Sequence, residues 1–348
     1  MAKSKVYQIR WQDYQKNPQI LTTILNSYQN YWQEEIAIKT HFGEPGNKNA
    51  LRGELIKPIT NWFVKNNLRA FLTDANTLYL GKRANAQDHL KTAKDHGFAD
   101  LGLPIIIADG ERGEKEKEIK LKDLKNQYQN LPIKIGAKIA EAKSIFCLSH
   151  FKGHPLFGFG GALKNLGMGS ASPNGKRILH ASVRGEVDKA KCLLCGTCIR
   201  FCPAQAIKIE NNQIVFDDQK CIGCGECITV CPQKAIGAGG GESRICQEKT
   251  AVYALGVVKN KPLLCLSLLI NINPLCDCAG QTAKKLIDDL GILISQDPVA
   301  IDQASLDWAN QVAGKDLFAE VHDIDYAPIL KMGEEIGLGR RDYEIKKV

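Results

Sequence analysis

The chain has no long apolar run. Its longest, PLLCLSLLI from Pro262 to Ile270, is too short to cross a bilayer. The N-terminal stretch MAKSKVYQIRWQDYQ contains no apolar core of signal-peptide length. These two absences lead to the expectation of a cytoplasmic protein with no membrane partner. There is also no Lys/Arg-rich block and no nucleic-acid motif, so the net charge of +8 does not imply a nucleic-acid partner. The spacing of Gly158, Gly160 and Gly161 completes neither a dinucleotide fingerprint nor a P-loop, and no flavin motif is evident.

Cysteine, by contrast, is abundant. There are 13 in 348 residues, and eight of them form two runs. Without an export signal, a reducing compartment and metal ligation fit this usage better than disulfides. Cys192, Cys195, Cys198 and Cys202 precede Pro203; Cys221, Cys224, Cys227 and Cys231 precede Pro232. This C-x₂-C-x₂-C-x₃-C-P spacing is that of bacterial two-cluster ferredoxins, in which the fourth cysteine of each run serves the other cluster. The expected ligand sets are therefore Cys192, Cys195, Cys198 and Cys231 for one 4Fe–4S cluster, and Cys221, Cys224, Cys227 and Cys202 for the second. Zinc instead favours paired C-x₂-C units separated by longer gaps. Glycines at 196, 223 and 225 let the backbone pass close to the sulfides. Between the runs, AIKIENNQIVFD reads as strand, Asn-Asn turn and strand. Acidic and basic residues balance from Glu186 to Ile236, so the positive excess lies in the rest of the chain and suits an anionic small-molecule substrate or an acidic redox partner protein.

Outside this segment, short apolar runs alternate with longer amphipathic stretches. Strands are expected at 36–41, 69–76, 103–110, 143–150, 262–272 and 291–295, and helices at 53–67, 85–96, 242–260 and 281–290. The pattern predicts an α/β fold with a largely parallel sheet and flanking helices, interrupted by a small inserted α+β ferredoxin-like domain. VRGEVDKAK (183–191) and GAGGG (237–241) read as junctions, dividing the chain into 1–185, 186–238 and 239–348.

Every expected strand ends in polar residues. His41 and Glu44 follow the first; Asp74, Asn76 and Thr77 the second; Asp109 the third. His150 and His154 follow the fourth, Cys276, Asp277 and Cys278 the fifth, and Asp297 the sixth. Open α/β sheets bind ligands outside the carboxyl ends of their strands. His41, Asp74, Asp109, His150 and His154 are thus catalytic candidates, although Asp74 and Asp109 are equally suited to cap helices. The glycine-rich stretch 149–172 offers Lys152, Gly160, Gly161, Lys164 and Asn165 as a cradle for an anionic cofactor or substrate. Cys276 and Cys278 offer two soft ligands that His150 or His154 would complete into a metal site, or else a redox thiol pair. Cys147 and Cys265 read as core residues, His89 and His96 as surface or packing residues, and Tyr79, Lys82 and Arg83 as an anion-holding or solvated loop.

The ordered set IAIKTHFGEPGN, FLTDANTLYLGKRANAQDHL, PIIIADG, SHFKGHPLFGFGGALKNLGMG, the two cysteine runs, PLCDCAG and ISQDPVAIDQASLDW closely resembles the iron–sulfur-centre proteins of the domain of unknown function 362, over roughly residues 5 to 335. The resemblance implies a bacterial or archaeal source, often anaerobic, and two 4Fe–4S clusters, but no particular reaction. The expected function is electron transfer by an oxidoreductase whose clusters serve a site at the strand ends. The alternatives are an electron carrier or assembly partner that docks to another enzyme, and a metal-delivery protein using Cys276 and Cys278.

Overall fold

The computed structural model describes residues 3–79, 81–180, 185–217, 219–221, 223, 225–238 and 240–348. Cys224 lies outside them. An eight-stranded sheet runs through the molecule in the order Tyr343–Lys347, Ser4–Arg10, Gly291–Ser295, Leu263–Leu269, Ser144–His150, Ile36–Lys39, Ala70–Asp74 and Ile105–Ile107. All neighbours are parallel except the two pairings of Gly291–Ser295, which runs against the rest. The central strands IAIK, SIFCLSH and LLCLSLL are buried along their whole length because helices cover both faces.

Side-chain alternation along each strand divides the core in two. Ile36, Ile38, Leu72, Phe146, Leu148, Leu264 and Leu266 face the layer containing helices Gln19–Asn26, Gly53–Lys65 and Ala86–Asp95. Ala37, Phe71, Ile145, Cys147 and Cys265 face helices Ala162–Ser170, Gly240–Val258, Pro298–Ala313 and Ala327–Glu335. Cys147 and Cys265 sit side by side in register on adjacent strands of this second core. The fold is thus mixed α/β with a large, largely parallel sheet and flanking helices.

Three sequence expectations change. Because Gly291–Ser295 is antiparallel, Asp297 emerges at the opposite edge from the other strand-end residues, where its carboxylate accepts the Val299 and Ala300 amides and caps Pro298–Ala313. Residues 281–290 form no helix; the amides of Ala283, Leu286 and Leu290 bond instead to Asn49 Oδ1, the Ile272 carbonyl and the Leu269 carbonyl. The chain ends Ser4–Arg10 and Tyr343–Lys347 add two strands whose mixed polarity suits a sheet edge better than its centre.

Residues 185–238 stand apart from the large sheet. Gly185–Val187 pairs with Ile236–Ala238, joining the start of the segment to its end. Ile207–Glu210 pairs with Gln213–Phe216 through a turn in which Asn211 and Asn212 both take positive φ, 48° and 57°. The two cysteine runs fold alike: Gly196 and Gly225 occupy equivalent left-handed positions (φ 71° and 72°), each starting a short helix, Thr197–Arg200 and Glu226–Val230. No helix among the described residues is long and apolar enough to cross a membrane.

Candidate functional site

The parallel strands Ile36–Lys39, Ala70–Asp74, Ser144–His150 and Leu263–Leu269 end along one edge, and a cleft of about 120 Å³ opens there. That is several times the ~10–15 Å³ a single water needs. Of the sequence candidates, His41, Asp74, His150, Lys152, His154, Gly160, Gly161, Lys164, Asn165, Cys276 and Cys278 line it. Asp109 does not. It lies behind the wall, where its carboxylate accepts the Asn76 amide, and it caps no helix.

One wall is organised around Asp277, which is 1% exposed. Its carboxylate meets His150 Nδ1 at 2.9 Å and Lys152 Nζ at 2.9 Å. The other nitrogen of His150 faces the Ile270 carbonyl at 2.8 Å. Both ring nitrogens are thereby engaged, so His150 acts as an anchor for Asp277 and has no nitrogen left for metal or substrate. The Asp277 carboxyl is held well below the usual carboxylate range; burial opposes this, but His150, Lys152 and His41 outweigh it.

The clamp presents the flanking thiols to the cleft. The Ala279 amide donates to the Cys276 carbonyl at 2.9 Å, closing a tight turn, and the two sulfurs lie 2.6 Å apart. The Cys278 thiol and amide both donate to Cys276 Sγ. Lys164 Nζ stands 3.8 Å from the same sulfur and 5.6 Å over the Phe157 ring. The Cys278 hydrogen bond, then the charge of Lys164, holds the Cys276 thiol well below its ordinary pKa despite burial. His154, Cys276 and Cys278 each bring a ligand atom within 4.8 Å of the others. Yet His154 Nδ1 accepts the Leu156 and Phe157 amides at 3.1 and 3.2 Å. A metal-binding histidine donates its second N–H to an acceptor. Here Nδ1 is blocked by two donors, and a neutral ring must carry its proton on Nε2. The trio is therefore better suited to hydrogen-bonding a thiolate than to holding a metal ion.

The floor is a buried charge network. Asp74, 2% exposed, meets Lys39 Nζ at 2.9 Å, Arg83 Nη1 at 3.4 Å and His89 Nε2 at 3.5 Å. Burial alone would raise its carboxyl, but Lys39, then His89 and His41, hold it well below the ordinary range. Arg83 also bonds Glu44 Oε2 at 2.9 Å and the Tyr79 hydroxyl. Arg83 is thus a buried strut with three partners, and His89 is a buried packing residue on the Asp74 side of its helix. Asp74 caps no helix either. His41 Nδ1 accepts the Gly43 amide, and burial together with Arg83 pushes its pKa well below the ordinary value, leaving a neutral ring at the cleft. Burial raises Asp109, behind the wall, to about 6, against the pull of Lys176, and lowers Lys176, which itself lines the cleft, to about 8.

The glycine-rich stretch is not an open anion cradle. Its second half is helix Ala162–Ser170, and the first amides of that helix, Ala162 and Leu163, are taken by the two oxygens of Asp302 at 2.7 and 2.9 Å. A Cβ on Gly161 would lie 2.3 Å from Asp302 Oδ1. Gly161 is needed for that internal carboxylate, not for a ligand. Asn165 is likewise committed: its Nδ2 bonds the Lys39 and Leu148 carbonyls, and its Oδ1 accepts Lys39 Nζ at 2.7 Å. Lys152 belongs to the Asp277 clamp. Lys164, with no carboxylate partner among the described residues, presents its ammonium to the cleft, and Gly160 lies beside it and Lys152.

The cysteine runs line two separate hollows. Cys192, Cys195, Cys198 and Cys231 surround one; Cys202, Cys221 and Cys227 surround the other. The fourth cysteine of each run is thus grouped with the other run, and the donor sets suit 4Fe–4S clusters. The Ala206 amide donates to Cys202 Sγ at 3.3 Å and the Ala235 amide to Cys231 Sγ at 3.2 Å, equivalent contacts of the kind that stabilise cluster thiolates. Gly225, Glu226 and Ile228 border both the second hollow and the cleft.

Sequence reasoning missed Lys39, Lys176, His180, Glu226 and Asp302. Lys39 lies inside an apolar strand and is fully buried. His180 lines the cleft with no partner for Nδ1 among the described residues, and burial, then Lys164, push it down to about 3. A Lys or Asp within an otherwise apolar run was the available signal for Lys39 and Asp302.

A family model described as domain of unknown function (DUF362) matches residues 36–307, and the chain belongs to that family. No curated protein matches it. Among solved structures, the chain is similar to the lactate racemase apoprotein from Thermoanaerobacterium thermosaccharolyticum, with 13% identity and a TM-score of 0.42 over 80% of this chain and 49% of that one. It is also similar to a protein from Thermotoga maritima, with 10% identity and a TM-score of 0.41 over 86% of this chain and 58% of that one. The chain thus spans about half the length of these structures.

Proposed function

We propose that this DUF362 protein is an iron–sulfur oxidoreductase that passes electrons between two 4Fe–4S clusters and a small anionic compound bound in the strand-end cleft. Cys192, Cys195, Cys198 and Cys231 would hold one cluster. Cys202, Cys221, Cys227 and Cys224 would hold the second, with residues 186–238 as the carrier domain. When bound, such clusters supply single electrons at a potential set by their surroundings. The observation that carries the reading is the shared wall: Gly225, Glu226 and Ile228 border both the second cysteine hollow and the cleft. Lys164 supplies positive charge for the anion, neutral His41 offers a ring nitrogen, and His150, Lys152 and Asp277 keep the wall rigid. A partner protein would load or unload the clusters, and the set of free thiols suits a reducing compartment such as the cytoplasm.

The cleft's role is tested by filling it. The three atoms nearest a Cβ at Gly160 belong to the Lys152 and Lys164 side chains, at 3.5 to 3.7 Å, so Gly160→Leu adds bulk without a backbone clash. Reduced, cluster-loaded protein would be mixed without oxygen with nitrite, sulfite, fumarate or oxidised glutathione while cluster absorbance is followed. At least one acceptor is expected to reoxidise wild type about tenfold or more faster than Gly160→Leu, a barrier difference of about 1.4 kcal/mol, with iron content unchanged. Equal rates for every acceptor would move the electron exit to a protein-docking face.

A further inference from the structure

We propose that Cys276 and Cys278 are a redox-active dithiol, cycling to a disulfide, that gathers single electrons from the cluster-bearing segment into a two-electron step. The inference rests on the cluster reading above. It starts from geometry. The two sulfurs lie 2.6 Å apart across the turn closed by the Ala279 amide, and Asp277 between them is turned away and locked by His150 and Lys152. Cys278 also borders a second cavity, of about 610 Å³, whose other wall is Thr197, Phe201, Glu226 and Val230 of the cysteine-rich segment. The pair thus stands between that segment and the cleft.

The surroundings suit the exchange. Reduction breaks the S–S bond with two electrons, drawn one at a time from the segment, and one proton. Cys278 becomes the thiol, and Cys276 leaves as a thiolate facing Lys164 Nζ at 3.8 Å. In the reverse direction the Cys276 thiolate attacks a disulfide compound in the cleft and releases one thiolate. Cys278 then closes the protein disulfide, releasing the second thiolate and a proton. A small anionic disulfide is the acceptor class this chemistry takes. The other cysteines outside the two runs do not compete: Cys147, Cys246 and Cys265 are fully buried and line neither cavity. The blocked Nδ1 of His154 argues against a metal ion as the pair's occupant.

The test uses the full chain, purified without oxygen and oxidised with diamide. Stepwise coulometric reduction is expected to take up about four electrons, two for the clusters and two for the pair, and about two in Cys276→Ser and in Cys278→Ser. Both variants should keep the wild-type iron content and reduced paramagnetic spectrum, which separates loss of the thiol pair from loss of fold. Peptide masses should show a Cys276–Cys278 disulfide that disappears on reduction. Wild type taking up only about two electrons, with both thiols alkylated in the oxidised form, would overturn the proposal. So would a stoichiometric non-iron metal released by Cys276→Ser. If no iron is present, the cluster reading fails by itself. The pair is then titrated in dithiothreitol buffers, where a reversible Cys276–Cys278 disulfide supports the dithiol and its absence overturns it.

Discussion

Replacing Asp74 with alanine is expected to destabilise the folded chain by about 3–5 kcal/mol, the usual cost of removing one partner from a buried ion pair. The carboxylate is 2% exposed and stands between Lys39 and Arg83, which are equally buried from solvent. Arg83 keeps Glu44, but Lys39 would retain only neutral partners, the Thr40 carbonyl and Asn165 Oδ1. Asp74→Asn keeps the volume and loses the charge, so a comparable loss in that variant identifies electrostatics as the cause and not a cavity. The pH dependence follows from the depressed carboxyl of Asp74. A group whose folded pKa is lowered stabilises above its unfolded value of about 3.9 and stops doing so as pH falls through the folded value. The difference between wild type and Asp74→Asn should therefore be flat from about pH 5 to 8 and shrink only in stronger acid. Urea midpoints across that range check it. A loss under about 1 kcal/mol would mean that water or a shifted side chain reaches Lys39.

Under the proposed ligand sets, replacing Cys231 with serine is expected to remove the cluster of the first cysteine run, not that of its own. Cys231 faces the hollow lined by Cys192, Cys195 and Cys198, whereas Cys202 faces that of Cys221 and Cys227. Each single replacement should lower iron from about eight to about four per chain. What distinguishes them is position. Cys231→Ser leaves the cluster beside Gly225 and Glu226, at the cleft wall, so reoxidation by an acceptor in the cleft should persist. Cys202→Ser removes that cluster, and reoxidation should fall at least tenfold, about 1.4 kcal/mol in barrier. The reverse pattern would show that each run holds its own cluster.

Much of this was legible in the sequence, because the signals were local. The Cys-Pro runs are what the cluster proposal rests on, and all six expected strands are present as short apolar runs bounded by polar residues. The residues after four of the parallel strands do gather at one edge. What failed depended on partners distant in sequence. Nothing in GILIS shows that it runs antiparallel and carries Asp297 to the far edge. QTAKKLIDDL has helical periodicity, but its amides are claimed by Asn49, Ile272 and Leu269. GFGGALKN suggests a ligand loop, yet the ligand-like group is the chain's own Asp302. His150, a catalytic candidate by its place at a strand end, is instead an anchor for Asp277. That pair positions the two thiols on either side of Asp277.

The central claim is that this chain carries two 4Fe–4S clusters at the wall of the cleft. Its most direct test is the content of iron, acid-labile sulfide and other metals in protein purified without oxygen, with the paramagnetic resonance spectrum of the reduced form. About eight irons and eight sulfides per chain, no other metal and two interacting reduced-cluster signals are expected. Zinc in place of iron, or a chain that folds with neither, would contradict it.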